Sequence, residues 1–323
     1  MNKLLFIRGL LEKMNHSKMK VTSKKELKTL IRKCIEKNGI YCDLNFIDVS
    51  AIKDMSELFC GSFFNGDISH WDVSSVENMD SMFEDSKFDG DISQWDVSNV
   101  ESMDSMFEDS KFDGDISQWD VSNVVSMYQM FCCSEFTGDI SHWNVSKVKN
   151  MDGIFGGSKF NNDISQWDVS SLSSMDRLFN GSCFNGDISK WNVSSVKSMN
   201  HMFSFSDFNG DISQWDVSNV EDMSNMFEGS KFNGNISLWD VSNVTDMSKM
   251  FRKSVFNSDI SQWDVSRVFD MSNMFEAAKF NRNISCWNVS NVRYMNEIFK
   301  NSKFDGDISH WELTNLHSHD NLF

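Results

Sequence analysis

The chain contains no proline, so no proline-rich linker divides it into separate parts. It has no apolar run near the ~20 residues that cross a bilayer, so no transmembrane segment is expected. The only candidate leader, Leu4-Leu5-Phe6-Ile7, is broken by Arg8 and closed by Glu12, too short for a secretory signal. The chain reads as soluble. Cysteine is irregular: Cys34, Cys42, Cys60, Cys132, Cys133, Cys183 and Cys286 are an odd number without repeating spacing. A disulfide-stapled repeat would carry a pair in every unit. These thiols therefore read as small core residues, in a reducing compartment or on a bacterial surface without dedicated oxidation. Cys132 and Cys133 are adjacent, but no second pair completes a zinc site with them.

Positive charge is scarce beyond the first 42 residues. Residues 1–42 hold eleven Lys and Arg against three Glu, a net of +8, whereas residues 43–323 carry a net of −25. So acidic a body repels nucleic acid and anionic membranes, and neither is an expected partner. The basic charges of the head fall on the solvated face of an expected helix. Forty per cent hydrophobic residues, with 28 Phe and 11 Trp, supply a core and exclude disorder.

What is present in abundance is a repeat. Trp71, Trp95, Trp119, Trp143, Trp167, Trp191, Trp215, Trp239, Trp263, Trp287 and Trp311 are all the tryptophans of the chain, each 24 residues after the last. Ile68 recurs to Ile308, Phe83 to Phe323 and Phe88 to Phe304 with the same step, without insertion or deletion. A globular enzyme has loops of unequal length; here there are none.

Each unit divides into a turn, a short strand and a helical turn or two. The turn is Phe-Asn-Gly-Asp, and its Gly or Asn suits a positive φ, with Ser258 and Arg282 as exceptions. The strand is expected around Trp-Asp-Val, with Trp and Val inward and Asp outward. The helix is expected from the spacing of Val100, Met103, Met106 and Phe107, with Ser98 and Glu101 as a capping box, repeated by Ser74/Glu77 and Ser218/Glu221. The Met pairs, Met79/Met82 through Met271/Met274, read as core of that helix rather than as a metal or cofactor box.

A unit this small cannot bury its own apolar face, but stacked copies can. The expected fold is an α/β repeat solenoid of about eleven 24-residue coils, a short parallel strand on one face and a short helix on the other. Residues 1–42 form a basic helical segment and cap, in which Ser23 and Glu26 cap a helix carrying Leu27, Leu30, Ile31, Cys34 and Ile35 and ended by Gly39. Residues 43–323 form the single solenoid. At the C-terminus Glu312, His317, His319 and Asp320 serve as a polar cap, or else the last coil is an open edge that self-associates.

The unit Phe-Asn-Gly-Asp-Ile-Ser-x-Trp-Asp-Val-Ser-Asn-Val-x-x-Met-x-x-Met-Phe resembles the repeat of BspA-like proteins, including mycoplasma-type surface lipoproteins. The lead-in, Lys24-Lys25-Glu26-Leu27 through Asp48-Val49-Ser50, is similar too, so the likeness spans about residues 22–323. It implies a leucine-rich-repeat-like solenoid in which Ile92-x-x-Trp95-x-Val97 matches the Leu-x-x-Leu-x-Leu core. Val100 stands where the family's ladder asparagine belongs, and Ser or Asp side chains would replace it. The resemblance also implies surface display and adhesion to host or neighbouring-cell proteins. The chain's own residues, lacking a lipoprotein signal, point instead to the cytoplasm.

Two acidic columns follow the repeat. Asp67, Asp91 and their equivalents precede the strand and are expected to accept backbone N–H bonds. Asp72, Asp96, Asp120, Asp168, Asp216, Asp240 and Asp264 follow the tryptophan and project from the sheet face. The residue before the tryptophan varies most: His70, Gln94, Gln118, His142, Gln166, Lys190 and Gln214 lead that column. The second acidic column with this variable one is the candidate protein-binding surface. A merely solvated face is the plainer reading, and calcium lacks a loop of converging oxygens. Asn-Val-Ser and Asn-Val-Thr at Asn144, Asn192, Asn243 and Asn288 match glycosylation acceptors, which repetition alone generates. His70, His142 and His310 share a column several coils apart, and no nucleophile–base pair, phosphate loop or metal constellation is recognisable. The expected function is a non-enzymatic binding or adhesion scaffold without cofactor or metal; the alternative is an intracellular adaptor or structural spacer.

Overall fold

The computed structural model describes residues 18–317 and 322–323. His319 and Asp320, expected in the C-terminal cap, lie outside the described residues, as does most of the basic head before residue 18.

Units stacked at a short step must satisfy their backbone polar groups across that step. Between residues 79 and 86 they do so by strict alternation. Met79, Ser81, Phe83 and Asp85 donate N–H to the carbonyls of Ser102, Asp104, Met106 and Glu108 in the next unit, at 2.7–3.0 Å. Met82, Glu84 and Ser86 donate to carbonyls three residues earlier in their own unit. The pattern repeats through Met271, Asn273, Phe275 and Ala277. It needs two left-handed residues per coil, such as Ser81 (φ 53°) and Asp85 (φ 46°), and both columns keep a positive φ from Glu57 and Gly61 to Glu297 and Asn301.

The helix expected at Val100–Phe107 is therefore absent, and a ladder of consecutive turns replaces it. The reason is space. Stacked Phe59, Phe83 and Phe107 have ring centroids 5.5–5.7 Å apart, whereas an α-helix is ~10 Å wide. Consecutive turns also return inward every three residues, so they produce the same apolar spacing as a helix. With no helix to cap, Ser74, Ser98 and Ser218 make none of the expected capping boxes and bond Asp72, Asp96 and Asp216 instead.

The strand expected at Trp-Asp-Val is also absent. Trp71 N–H closes a turn on the Ile68 carbonyl (3.1 Å) and Val76 N–H closes another on Val73 (2.9 Å). Parallel pairing is reduced to isolated bridges on another column, Asn78 to Ser102 to Ser126 to Asn150. On the tryptophan side the coils are joined by side chains. Every indole N–H donates to a carbonyl 27 residues earlier, from Trp71 to Leu44 through Trp311 to Ile284, at 3.0–3.2 Å. Each such carbonyl serves twice: Ile68 accepts from Trp71 N–H and from the Trp95 indole. A second ladder runs through the turn, where Asn185 Oδ1 accepts the N–H of Asn209 and Asn209 Oδ1 that of Asn233, both at 2.8 Å. The ladder residue thus follows the buried phenylalanine of Phe-Asn-Gly and does not lie in the Val100 column.

All eleven tryptophans are buried, with the Ile, Val, Met and Phe columns around them. Two phenylalanine columns run the length of the stack, one stepping 5.5–6.0 Å and the other 6.2–6.4 Å, and they touch within each coil at 4.1–4.7 Å. Offset parallel rings at these separations are favourable beyond their burial.

The turn glycines are not left-handed, contrary to the reading of Phe-Asn-Gly-Asp. A Cβ at Gly90, Gly114 or Gly138 would instead come within 2.7–2.8 Å of the phenylalanine ring two residues earlier. Glycine is favoured there by crowding, which is why Ser258 and Arg282 can occupy the column if that ring shifts.

At the N-terminal end β1 (Met19–Lys20) pairs in parallel with β2 (Ile47–Asp48). Between them α1 (Lys24–Asn38) begins at Ser23, whose Oγ accepts Glu26 N–H, while Glu26 Oε2 accepts Thr22 N–H. Gly39, at φ 87°, ends it by donating to the Ile35 carbonyl. Leu27 and Ile31 are buried with the first coil.

Two stability outcomes follow. Trp191→Phe keeps a ring in the column but removes the donor to the Ile164 carbonyl, and should cost about 1–3 kcal/mol in denaturant unfolding; an unchanged midpoint would discount the indole bond. Lys253→Gly relieves a left-handed lysine (φ 56°) and should add about 0.5–1 kcal/mol, read from the same transition.

Candidate functional site

The residues of the second acidic column are built into turns. Each aspartate Oδ1 accepts the N–H of the serine two residues on: Asp72 from Ser74 (3.2 Å), Asp96 from Ser98 (3.1 Å), Asp120 from Ser122 (3.0 Å) and Asp168 from Ser170 (3.1 Å). Asp216, Asp240 and Asp264 do the same with Ser218, Ser242 and Ser266. Serine hydroxyls add a second bond of 2.6 Å at Asp72, Asp168 and Asp216. The hydroxyl first, then the N–H, holds Asp120, Asp168, Asp216 and Asp264 below the usual carboxylate range. Asn144, Asn192 and Asn288 make the same bond, so the turn requires an oxygen acceptor and not a charge.

All seven aspartates are exposed. So are His70, Gln94, Gln118, His142, Gln166, Lys190 and Gln214, each on the other side of a buried tryptophan. Buried Trp thus separates two outward side chains in each coil, one variable and one acidic. Gln94, Gln118, Gln166 and Gln214 lie back on the preceding serine hydroxyl at 3.1–3.3 Å. The first acidic column accepts backbone N–H bonds, as expected: Asp91 from Ser93 and Asp115 from Ser117, both 2.9 Å. Those bonds depress Asp91 in spite of opposition from Asp67 and Asp115 in the same column.

Three features went unseen in the sequence. Asp80 and Asp104 stack in successive coils, Asp80 Oδ1 accepting Asp104 N–H at 3.0 Å, and Asp152 does the same for Asp176. Burial pushes Asp104 and Asp152 up. Their 24-residue spacing was the available signal. A second is an exposed aromatic patch: Phe269 meets Tyr294 edge-on at 5.4 Å, Arg293 lies 5.8 Å over Phe269, and Tyr294 stacks on His317. A groove beside it is lined by Thr245, Asp246, Arg267, Asp270 and Asn291. The third is the ion-pair chain in which Arg252 bridges Glu228 (2.8 Å) and Glu276 (2.7 Å).

Among the described residues no three His, Cys, Asp or Glu converge on a point that could hold a metal ion. No described helix is long and apolar enough to cross a membrane. His201 Nδ1 and Ser204 Oγ are buried without a partner among the described residues; Ser204 is wholly buried and closed to a substrate.

A family described as "Mycoplasma protein of unknown function, DUF285" matches residues 25–135, 130–237 and 229–323. No curated protein and no solved structure matches.

The buried Asp152 gives a pH-dependent outcome. Its carboxyl is raised in the folded state, chiefly by burial, so folding favours the protonated form. The ionised form is a cost above the folded pKa, and that cost disappears as pH falls below it. Asp152→Asn, which copies Asn200 in the same column, should raise the unfolding midpoint at pH 7 and leave it nearly unchanged below about pH 4. A midpoint lowered at pH 7 would contradict this.

Proposed function

The chain belongs to the DUF285 family of Mycoplasma-type proteins of unknown function, and from that membership and its surface we propose that it is a non-enzymatic protein-binding scaffold. It is read as a leucine-rich-repeat-like solenoid, of the kind BspA-like proteins use for adhesion, that offers a rigid acidic face to a host or neighbouring-cell protein with a basic surface. The observation that carries this reading is the alternation around each tryptophan. In seven coils an aspartate, oriented by the N–H of the serine two residues on and at Asp72, Asp168 and Asp216 by its hydroxyl as well, stands beside a variable exposed residue. Preorganised side chains lose little freedom on binding, and a row of like charges raises the association rate of a basic partner. The alternative, an intracellular adaptor or structural spacer with no dedicated ligand, is supported by the fact that every aspartate of the column already serves its own turn.

The two readings separate in one experiment. Asp96, Asp120 and Asp168 are changed together to Asn, which keeps the turn, as Asn144 and Asn192 do. Proteins retained on the immobilised chain at low salt should be lost from the variant and, on the parent, with rising salt. Retention equal for parent and variant would remove the acidic face from the function.

A further inference from the structure

Cys132 and Cys133 occupy a place where the fold forces neighbouring side chains together. In an extended strand successive side chains point to opposite faces. Here Cys133 is one of the left-handed residues of its coil (φ 54°), and the kink brings the two sulfurs to 3.8 Å. Cys132 is half-buried and Cys133 exposed. The same two positions of the next coil are Gly156 and Gly157. A Cβ there would lie 3.6 Å from Cys132 Sγ and 3.0 Å from Cys133 Sγ. At these two positions the next coil therefore lays no side chain over the sulfurs, and the side chain that does reach the pair is Gln129, whose Nε2 lies 3.9 Å from Cys132 Sγ.

Three ligand classes can be weighed against this geometry. A disulfide needs sulfurs at ~2.05 Å and Cα atoms at least ~4.4 Å apart, whereas adjacent Cα atoms are ~3.8 Å apart. A zinc cage needs four protein ligands, and no third His, Cys, Asp or Glu converges on the pair among the described residues. A single bridging atom fits better. Two bonds to sulfur of ~2.3 Å, opened at the roughly 100° of a pyramidal trivalent centre, span about 3.5 Å, a few tenths of an ångström inside the 3.8 Å between the sulfurs. We propose that Cys132 and Cys133 form a chelating dithiol site for a monosubstituted trivalent arsenical, which takes two sulfurs from the protein and carries its own third bond. The step is a condensation without redox change. Two As–S bonds form, the As=O bond is lost, and both thiol protons leave with that oxygen as water. Burial, then the neighbouring Cys133, pushes the Cys132 thiol up to about 12, so Cys132 is poorly suited to simple alkylation, which needs a thiolate.

The test uses phenylarsine oxide on the reduced full chain in excess 2-mercaptoethanol, with adducts located by peptide mass spectrometry. One arsenic should remain per folded chain, on the peptide containing Cys132 and Cys133, and 2,3-dimercaptopropanol should strip it. Cys133→Ala, which copies Ala277 in the same column, should lose the adduct while keeping the circular dichroism of the parent. Gly157→Ala, which retains both thiols but crowds Cys133, should weaken retention about tenfold, as should full denaturation in urea. An adduct elsewhere, one surviving in Cys133→Ala, or equal retention by folded and denatured chains would overturn the proposal.

Discussion

The indole N–H of each tryptophan reaches a main-chain carbonyl in the preceding coil, that of Leu44 for the first and of an isoleucine for all the others. The rest of the tryptophan side depends on that bond. Between Ile68 and Val76 the backbone spends its own donors on local turns, so little main chain remains to join one coil to the next. The large buried ring answers two needs at once. It fills the interior beside the phenylalanine columns, and it carries a donor across the step at a fixed height. A phenylalanine could do only the first. This accounts for a column of eleven tryptophans with no substitution, whereas the valine two residues on, which only fills space, yields to Leu313.

The opposite side of the coil solves the same problem chiefly with main chain, the stacked aspartates such as Asp80 and Asp104 adding to it. There alternate N–H groups cross to the next coil and the others close turns, an arrangement that requires two left-handed residues in each unit. Most of them are not glycine: Ser81, Asp109, Lys253 and Phe205 all take the conformation. The cost of holding such residues at positive φ is met repeatedly, and what offsets it is the set of cross-coil bonds that the kinks make possible. The narrow step between coils also decides against the helix, because no helix cylinder fits between aromatic rings so closely stacked.

The buried columns were legible in the sequence almost to the residue, because a tryptophan or phenylalanine returning every 24 positions has no other home than a stacked core. The cap helix was legible for the same sort of reason: Ser23, Glu26 and Gly39 are chemically specific end signals around an amphipathic stripe. The secondary structure inside the unit was not. Val100, Met103, Met106 and Phe107 have helical spacing, but a run of three-residue turns presents the same spacing, and only the distance between coils distinguishes them. The glycine of Phe-Asn-Gly-Asp misled in a similar way, since a residue without a Cβ answers crowding as well as it answers a positive φ. Of the candidate surface, the exposure of Asp96 or Gln118 could be read from alternation around Trp95 and Trp119. The aspartate–serine turns that orient the acidic column, and the stacking of Asp80 on Asp104, emerge only from the path of the chain.

The two sides of the coil also point their donors in opposite directions. The main-chain ladder sends its N–H groups toward the following coil, whereas the indoles and the asparagine ladder send theirs toward the preceding one. In a helix all such dipoles align and leave a charged pole at each end. Here the two sets run antiparallel through the length of the stack, and main-chain bonds such as Glu101 N–H to the Glu77 carbonyl also point backward, so the dipoles of successive coils partly offset one another instead of all aligning. Growth in units of 24 residues therefore adds less axial dipole than a helix of equal length would, while each added coil still extends the acidic columns, in which Asp67 and Asp115 oppose the charge on Asp91.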